Sequence, residues 1–340
     1  MEQERITISE GGGGKHGFDL VKNIFLETYG NDILNRLDDA AEIEVREKRI
    51  AFTTDSYTIK PVFFPGGNIG NLAVCGTCND LAVKGARPVA LSAAFIIEEG
   101  FPKHDLVTIA RSMHEATSAL GVPIVTGDTK VVSRGEVDGI FINTAGIGAV
   151  MDGMNISASR AQPGDAIITT GTIGDHGIAI LNEREQLEFS LPVHSDVAAV
   201  FPLVEKIAFL AGHIHVMRDP TRGGMASILN EIAYASRVCV TIGEDLVPIQ
   251  QGVLSCCDLL GLDPLYLPNE GRIILVVAHE AADEVLSAVR SLPLGKDAAI
   301  VGTVTDDPFS EETPPVSLET GLGTRRYLPL MEGDPLPRIC

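Results

Sequence analysis

Apolar residues along the chain recur with two periods, about 2 and about 3.6, and the alternation of these periods predicts alternating strands and helices. Phe18, Val21, Phe25 and Tyr29 share helical spacing after a Gly-rich loop at 11–17, GGGGKHG. The run Ile50 to Ile59 reads as a strand whose polar triplet, Thr54-Asp55-Ser56, is a costly place for a carboxylate unless something there uses it. A small-residue helix over about 69–85 follows. A stronger one puts Leu106, Ile109, Met113, Ala116 and Leu120 on one face. Apolar strands are expected at 122–125 and 140–150, the first ending in Gly127-Asp128-Thr129-Lys130. The second half repeats the style, with strands at 165–170, 214–217 and 273–277 and helices at 196–211 and 225–236. Turns are expected at Gly174-Asp175-His176-Gly177 and Asp219-Pro220-Thr221-Arg222-Gly223-Gly224.

This pattern predicts an α/β protein with mixed α+β character and two domains, since 340 residues exceed what one core usually supports. The boundary falls near 151–160, which gives domains at 1–155 and 156–330 and a tail at 331–340. Pro335 and Pro337 in that tail exclude helix, so its residues are expected to be extended and mobile, able to span roughly 30 Å.

Composition narrows the class. Hydrophobic residues at 45% and charged residues at 21% are those of a globular enzyme, and the net charge of −20 argues against nucleic acid and anionic membrane surfaces as partners. No run of about 18 apolar residues and no basic, apolar leader are present, so a cytoplasmic location is expected. Six cysteines in this length do not form a disulfide framework. Cys75 and Cys78 have CxxC spacing without a second ligand pair, and with Cys239, Cys256 and Cys257 they read as small core residues.

Several residues could carry chemistry. Asp55, Asp80, Asp128 and Asp219 all lie beside Gly, Thr, Ser or Asn; each alone suits an Asx-turn or helix cap, but four in such settings suit Mg²⁺ held against nucleotide phosphates. Lys15 in the Gly-rich loop could contact phosphate, although the loop lacks P-loop spacing and equally suits a linker. Lys130 follows a strand-end Gly-Asp-Thr and could meet a developing negative charge, or simply be solvated. Glu270 offers either a general base at a site mouth or a turn cap, and His176 a phosphate ligand, an acid or an exposed turn residue. Cys340 differs from the other thiols, because a thiol ending a proline-stiffened tail suits a carrier that receives a group in one place and delivers it in another.

The segments FTTDSYTIKPVFFPGGNIG, CGTCNDLAVKGARP, VTGDTKVV, INTAGIG, TGTIGDHG, RDPTRGG and the terminal PLPRIC together resemble the HypE family, the carbamoyl dehydratases of NiFe-hydrogenase maturation. The Asp- and Gly-rich loops resemble the wider superfamily of aminoimidazole ribonucleotide synthetase, selenophosphate synthetase and thiamine monophosphate kinase. The resemblance covers nearly the whole chain. It implies a two-domain PurM-like fold, an N-terminal domain that binds ATP and pairs with a second subunit in a homodimer, and a C-terminal α/β domain. It also implies a HypF-type carbamoyltransferase that loads Cys340, a HypC–HypD iron complex that receives the product, and ATP with Mg²⁺ at Asp55, Asp80, Asp128 and Asp219. Lys15, Thr129 and His176 would assist nucleotide binding, and Lys130 and Glu270 would act on the carbamoyl group. Selenophosphate synthetase is disfavoured because no cysteine precedes position 75. A non-catalytic nucleotide-binding scaffold that uses its tail only for docking is the rival from another class.

Overall fold

A computed structural model describes residues 5–6, 20–31, 49–186, 192–310, 312–330, 336 and 338–340. The Gly-rich loop at 11–17, with Lys15, lies outside the described residues, as do Pro335 and Pro337.

The first half is built on a four-stranded sheet. Its strands are β1 (Ile50–Tyr57), β4 (Ala86–Glu98), β5 (Ile124–Val132) and β6 (Ile140–Val150), in the order β1-β6-β4-β5. β6 is antiparallel to both β1 and β4, and β4 is parallel to β5. A short hairpin, β2 (Phe63–Phe64) with β3 (Gly67–Asn68), leads into helix α1 (Ile69–Val83). Asn68 caps α1: its side chain accepts from the Gly70 amide at 2.8 Å, and Asn71 accepts from the Asn68 amide at 2.7 Å. Nearly every side chain of α1 is buried, so its small residues are needed for close packing rather than for an amphipathic stripe. Helix α2 (Lys103–Leu120) is amphipathic as expected; Leu106, Ile109 and Met113 are buried, and the helix stops at Gly121 in the left-handed region, φ 66°.

Long strand β4 is not evident in the sequence pattern. Its register nonetheless governs the site, because residues directly opposite one another share a face. Asp55 is paired with Thr144, Thr144 with Ala93, and Ala93 with Gly127. These residues face α1 and α2, together with Tyr57, Phe95 and Ile142. The next row, Ser56–Asn143–Ala94–Asp128, faces the other way.

The second half contains a seven-stranded sheet in the order β13-β12-β9-β11-β7-β10-β8. The strands are β7 (Ala166–Thr169), β8 (Ile214–Arg218), β9 (Cys239–Gly243), β10 (Ile274–Val277), β11 (Ala299–Thr305), β12 (Val316–Glu319) and β13 (Arg325–Tyr327). β7 and β10 are buried along their whole length because both faces are covered: Ile168 and Leu275 enter one core, Ile167 and Ile274 the other. The flanking helices are α3 (Asp175–Glu185), α4 (Phe201–Ile207), α5 (Gly224–Ser236), α6 (Gln251–Leu260) and α7 (Ala282–Arg290). The helix expected over 196–211 is reduced to α4 followed by a 3-10 stretch, Ala208–His213. The turn expected at 174–177 is instead the start of α3, entered through left-handed Gly174.

A third core joins the halves. Tyr57, Ile59, Phe64 and Leu72 of the first half pack in one cluster with Ile178, Val193, Cys256 and Leu267 of the second, and Leu336 and Ile339 belong to the same cluster. The tail residues described are therefore seated on the body, not projecting from it.

Candidate active site

The cleft between the halves collects carboxylates. Asp55 from β1 receives hydrogen bonds from the hydroxyls of Thr77, at 3.3 Å, and Tyr57, at 3.5 Å. Thr77 is fixed in turn by Thr144, 2.6 Å away, whose hydroxyl also bonds the Ala73 carbonyl. Tyr57 must lie against the helix backbone at Gly76, where a Cβ would sit 2.2 Å from its hydroxyl. Asp80, one turn further along α1, accepts from the Thr53 hydroxyl at 2.7 Å. Asp219, just beyond β8, and Glu270, just before β10, approach from the second half.

Burial, with Asp80 beside it, raises the Asp55 carboxyl to about 6; the same two causes raise Asp219 to about 7. Glu270 is raised well above the ordinary range, first by burial and then by Asp219, Asp196, Asp55 and Asp80. Glu270 is 3% exposed, and its Oε1 has no hydrogen-bond partner. These buried and half-buried acids have Arg222 and Arg218 as countercharge to Asp55 and Asp219, but burial and mutual repulsion outweigh it, an arrangement a protein does not retain for stability. A hard cation would relieve it. Among the described residues, however, no three His, Cys, Asp or Glu side chains stand close enough together to hold a metal ion by themselves. Any Mg²⁺ met by oxygens of Asp55, Asp80 or Asp219 would have to be completed by phosphate oxygens and water.

Asp128 does not join them. It lies on β5, three strands from β1, so roughly 14 Å away at the usual strand spacing, and on the opposite face of the sheet from Asp55. Lys130 shares that opposite face, aligned with Ile96, whereas Thr129 aligns with Phe95 toward the helices. Strand alternation separates residues that look equivalent in the sequence.

Glu270 is positioned by residues that carry no motif in the sequence. Asp196 accepts from the amides of Glu270, at 3.1 Å, and Gly271, at 3.2 Å. Gly271 is required there, since a Cβ would meet the Asp196 carbonyl at 1.9 Å. Arg272 lies 3.6 Å from both Asp196 and Asp175. Asn79 of α1 spans the halves, donating to the carbonyls of Ala198 and Glu270 at 3.0 and 3.2 Å and accepting from the Val200 amide at 2.8 Å. The only hint of this frame in the sequence is the clustering of Asn, Glu and Arg at 269–272.

His176 is fully buried, contrary to the exposed turn residue considered from the sequence, and burial lowers it to about 4. The neutral ring donates from Nε2 to the Ile339 carbonyl at 2.8 Å, because a carbonyl can only accept, and its Nδ1 lies 2.7 Å from the Ser195 hydroxyl. Its contact is with the tail. Cys340 is half-buried, and its carbonyl accepts from the Thr58 amide at 2.9 Å. Thr58 is three residues beyond Asp55, so the thiol-bearing residue is roughly 10 Å from it along the chain direction of β1. Cys75 and Cys78 are buried as expected, and burial pushes the Cys75 thiol up to about 12, which keeps it inert.

Comparison with known proteins agrees with this geometry. Residues 37–150 match the N-terminal domain, and residues 162–313 the C-terminal domain, of the AIR synthase related proteins. Carbamoyl dehydratase HypE of Rhizobium leguminosarum bv. viciae is 49% identical over 338 residues, covering 99% of this chain and 95% of its own. A crystal structure of hydrogenase maturation protein HypE in complex with ATP superposes with a TM-score of 0.93 at 46% identity, covering 98% and 99% of the two chains. HypE in a HypE–HypF complex superposes at 0.80, with 46% identity and coverage of 93% and 99%. The chain belongs to the HypE carbamoyl dehydratase family of the AIR synthase related proteins.

Proposed function

We propose that this protein is an ATP-dependent carbamoyl dehydratase that converts an S-thiocarboxamide on Cys340 into an S-cyanate, the source of cyanide ligands for the iron of NiFe-hydrogenase. The observation that carries this reading is the seating of Cys340 on Thr58, at the end of the strand that supplies Asp55.

In R–S–C(=O)–NH₂ the oxygen is a poor leaving group. Transfer of the γ-phosphoryl group to it gives R–S–C(OPO₃)=NH and ADP, with one N–H proton released; loss of phosphate with the second proton then gives R–S–C≡N. Asp55, Asp80 and Asp219 would hold Mg²⁺, which neutralises charge on the phosphates during transfer. Burial and its acidic neighbours raise the Glu270 carboxyl well above its ordinary range. Positive charge among those acids would lower it and so favour Glu270 as the base for the N–H proton. Asp196, itself beside Arg272, and Asn79 fix the main chain of Glu270 and so the point from which its side chain enters the cleft.

Asp128 and Lys130 enter this reading through a second copy, while Thr129, which faces the helices, is retained as a nucleotide contact from its own chain. The face of the first sheet turned away from α1 exposes Ile50, Phe52 and Ile96, with Phe52 70% exposed, and this apolar surface suits a homodimer in which Asp128 and Lys130 act across the interface. The domain division at about residue 155 lies between β6 and β7, and Lys15 is retained as a phosphate contact. A HypF-type carbamoyltransferase is the proposed donor, since a relative forms a HypE–HypF complex, and a HypC–HypD iron complex is the proposed acceptor. Among the described residues no helix is long and apolar enough to cross a membrane; a cytoplasmic site of action is proposed.

Oxygen-18 placed in the carbamoyl group tests the chemistry. The label is expected in inorganic phosphate after one turnover with MgATP; label released as water would contradict phosphoryl transfer to that oxygen.

A further inference from the structure

The described end of the tail is held from two sides. Toward the first half, the Thr58 amide donates to the Cys340 carbonyl at 2.9 Å and the Lys60 amide to the Arg338 carbonyl at 3.4 Å, while Arg338 Nε donates to the Thr58 carbonyl at 2.8 Å. Residues 338–340 thus lie antiparallel to 58–60, with 338 opposite 60 and 340 opposite 58. Arg338 stands in the left-handed region, φ 55°, so the segment is not a regular strand, and the carbonyl between these two finds a different partner. That middle carbonyl, of Ile339, meets His176 Nε2 at 2.8 Å. From the same helix, α3, Arg184 Nη2 donates to the Arg338 carbonyl at 2.8 Å, and its Nε donates to the Lys60 carbonyl at 3.0 Å. Ile339 is 3% exposed, so its carbonyl has little water to replace a lost partner.

From this arrangement we infer that His176 and Arg184 are positioning residues that seat the carrier thiol for dehydration. The inference rests on the proposed carrier role of Cys340. All these donors address main-chain carbonyls, so the seat reads the main-chain path of the tail.

The seat is tied to the proposed base. His176 Nδ1 is held by Ser195, whose hydroxyl also accepts from the Val197 amide at 3.1 Å and whose own amide bonds the Pro65 carbonyl at 2.8 Å. The next residue, Asp196, holds the amides of Glu270 and Gly271. One dipeptide therefore orients both the residue that grips the tail and the residue proposed to take the proton. Neutrality suits His176 to this contact, since a dipolar N–H donor binds a carbonyl without bringing a charge that would draw water into the seat.

The test has two readouts on the full-length protein. The first is the rate at which iodoacetamide alkylates Cys340, followed by mass of the C-terminal peptide, which requires no enzyme activity. Loss of one such hydrogen bond is expected to accelerate alkylation about 3- to 10-fold in His176→Phe and in Arg184→Ala, and His176→Gln, which keeps a donor, is expected to restore much of the protection. The second is single-turnover dehydration against carbamoylation by the HypF-type donor. Dehydration is expected to slow by a similar factor while carbamoylation is unchanged or faster. Alkylation at the wild-type rate in both Arg184→Ala and a folded His176→Phe would overturn the seat. Faster alkylation with undiminished dehydration would overturn its role in positioning, as would carbamoylation and dehydration falling together. If the wild-type protein is never carbamoylated on Cys340, the carrier reading fails, and the alkylation result still decides whether the seat exists.

Discussion

The two faces of the first sheet carry similar residues and serve different ends. On the covered face, Asp55 sits with Thr77, Tyr57 and Asp80 under the second half, and burial has raised its carboxyl to about 6. On the open face, Asp128 and Lys130 are exposed, Lys130 beside Ile96 and both on the same side of the sheet as Phe52. One carboxylate is strained by its surroundings and needs a cation; the other is solvated and needs a neighbour to become part of a site. What separates them is the period of two along a strand, which sends adjacent residues to opposite sides.

The comparison predicts the largest effect at the covered face. Glu270→Gln is expected to slow dehydration about 10²- to 10⁴-fold, the usual contribution of a positioned acid–base group, while the melting temperature holds or rises, because a strained acid has been removed. A proportionate fall in melting temperature would mark Glu270 as structural. If Lys130 works across a dimer, Lys130→Ala and Glu270→Gln chains that are each inactive should recover activity when subunits are mixed. Random exchange between two-fold dimers leaves about a quarter of wild-type activity. No recovery, with exchange demonstrated, would place both residues in one chain's cleft and contradict the register argument.

Smaller and more diagnostic is the pH dependence of the nucleotide-free protein. Asp55 and Asp219 have folded values of about 6 and about 7, both above the ordinary carboxylate range, so between about pH 4 and pH 7 the folded state binds more protons than the unfolded state. The stability associated with them is fully present at low pH and is lost as pH rises through 6 and 7. Asp55→Asn should flatten this part of the melting profile relative to wild type, and MgATP should restore stability near pH 8 in the wild type only; a parallel profile for the variant would contradict the strained pair. Smallest of all, Asp128→Ala should change stability, read by thermal unfolding, by about 0.5 kcal/mol or less, as for other exposed sites.

Much of this fold is legible in the sequence for identifiable reasons. Buried strands β7 and β10 read clearly because both their faces are covered and the apolar runs are unbroken. Helix α2 reads clearly because only one face is buried. Strand β4 does not, since Ala86–Glu98 mixes Arg, Pro, Ser and Ala with its apolar residues and lacks strict alternation. At the site, Asp55, Asp80, Asp219 and Glu270 are visible as acids beside small polar residues, and the fold brings them close enough that neighbouring carboxylates raise Asp55, Asp219 and Glu270 beyond what burial does. Asp128 gives the same local signal with a different outcome, because facing is set by pairing with distant strands. Asp196, Ser195 and Arg184 give no signal, since their roles depend on contacts with residues as far as 74 and 154 positions away in the chain. His176 has the look of a turn residue because the glycines around it suggest a loop, whereas Gly174 only opens a helix.

The central claim, that Cys340 carries the group which the acidic cleft dehydrates, is tested most directly by the intact mass of the protein and of Cys340→Ala after incubation with the HypF-type donor and then with MgATP. A carbamoyl adduct that forms on the wild type alone and loses one water only when MgATP is added is the predicted result. The same adduct on the variant, or an unchanged mass with a demonstrably active donor, would contradict it.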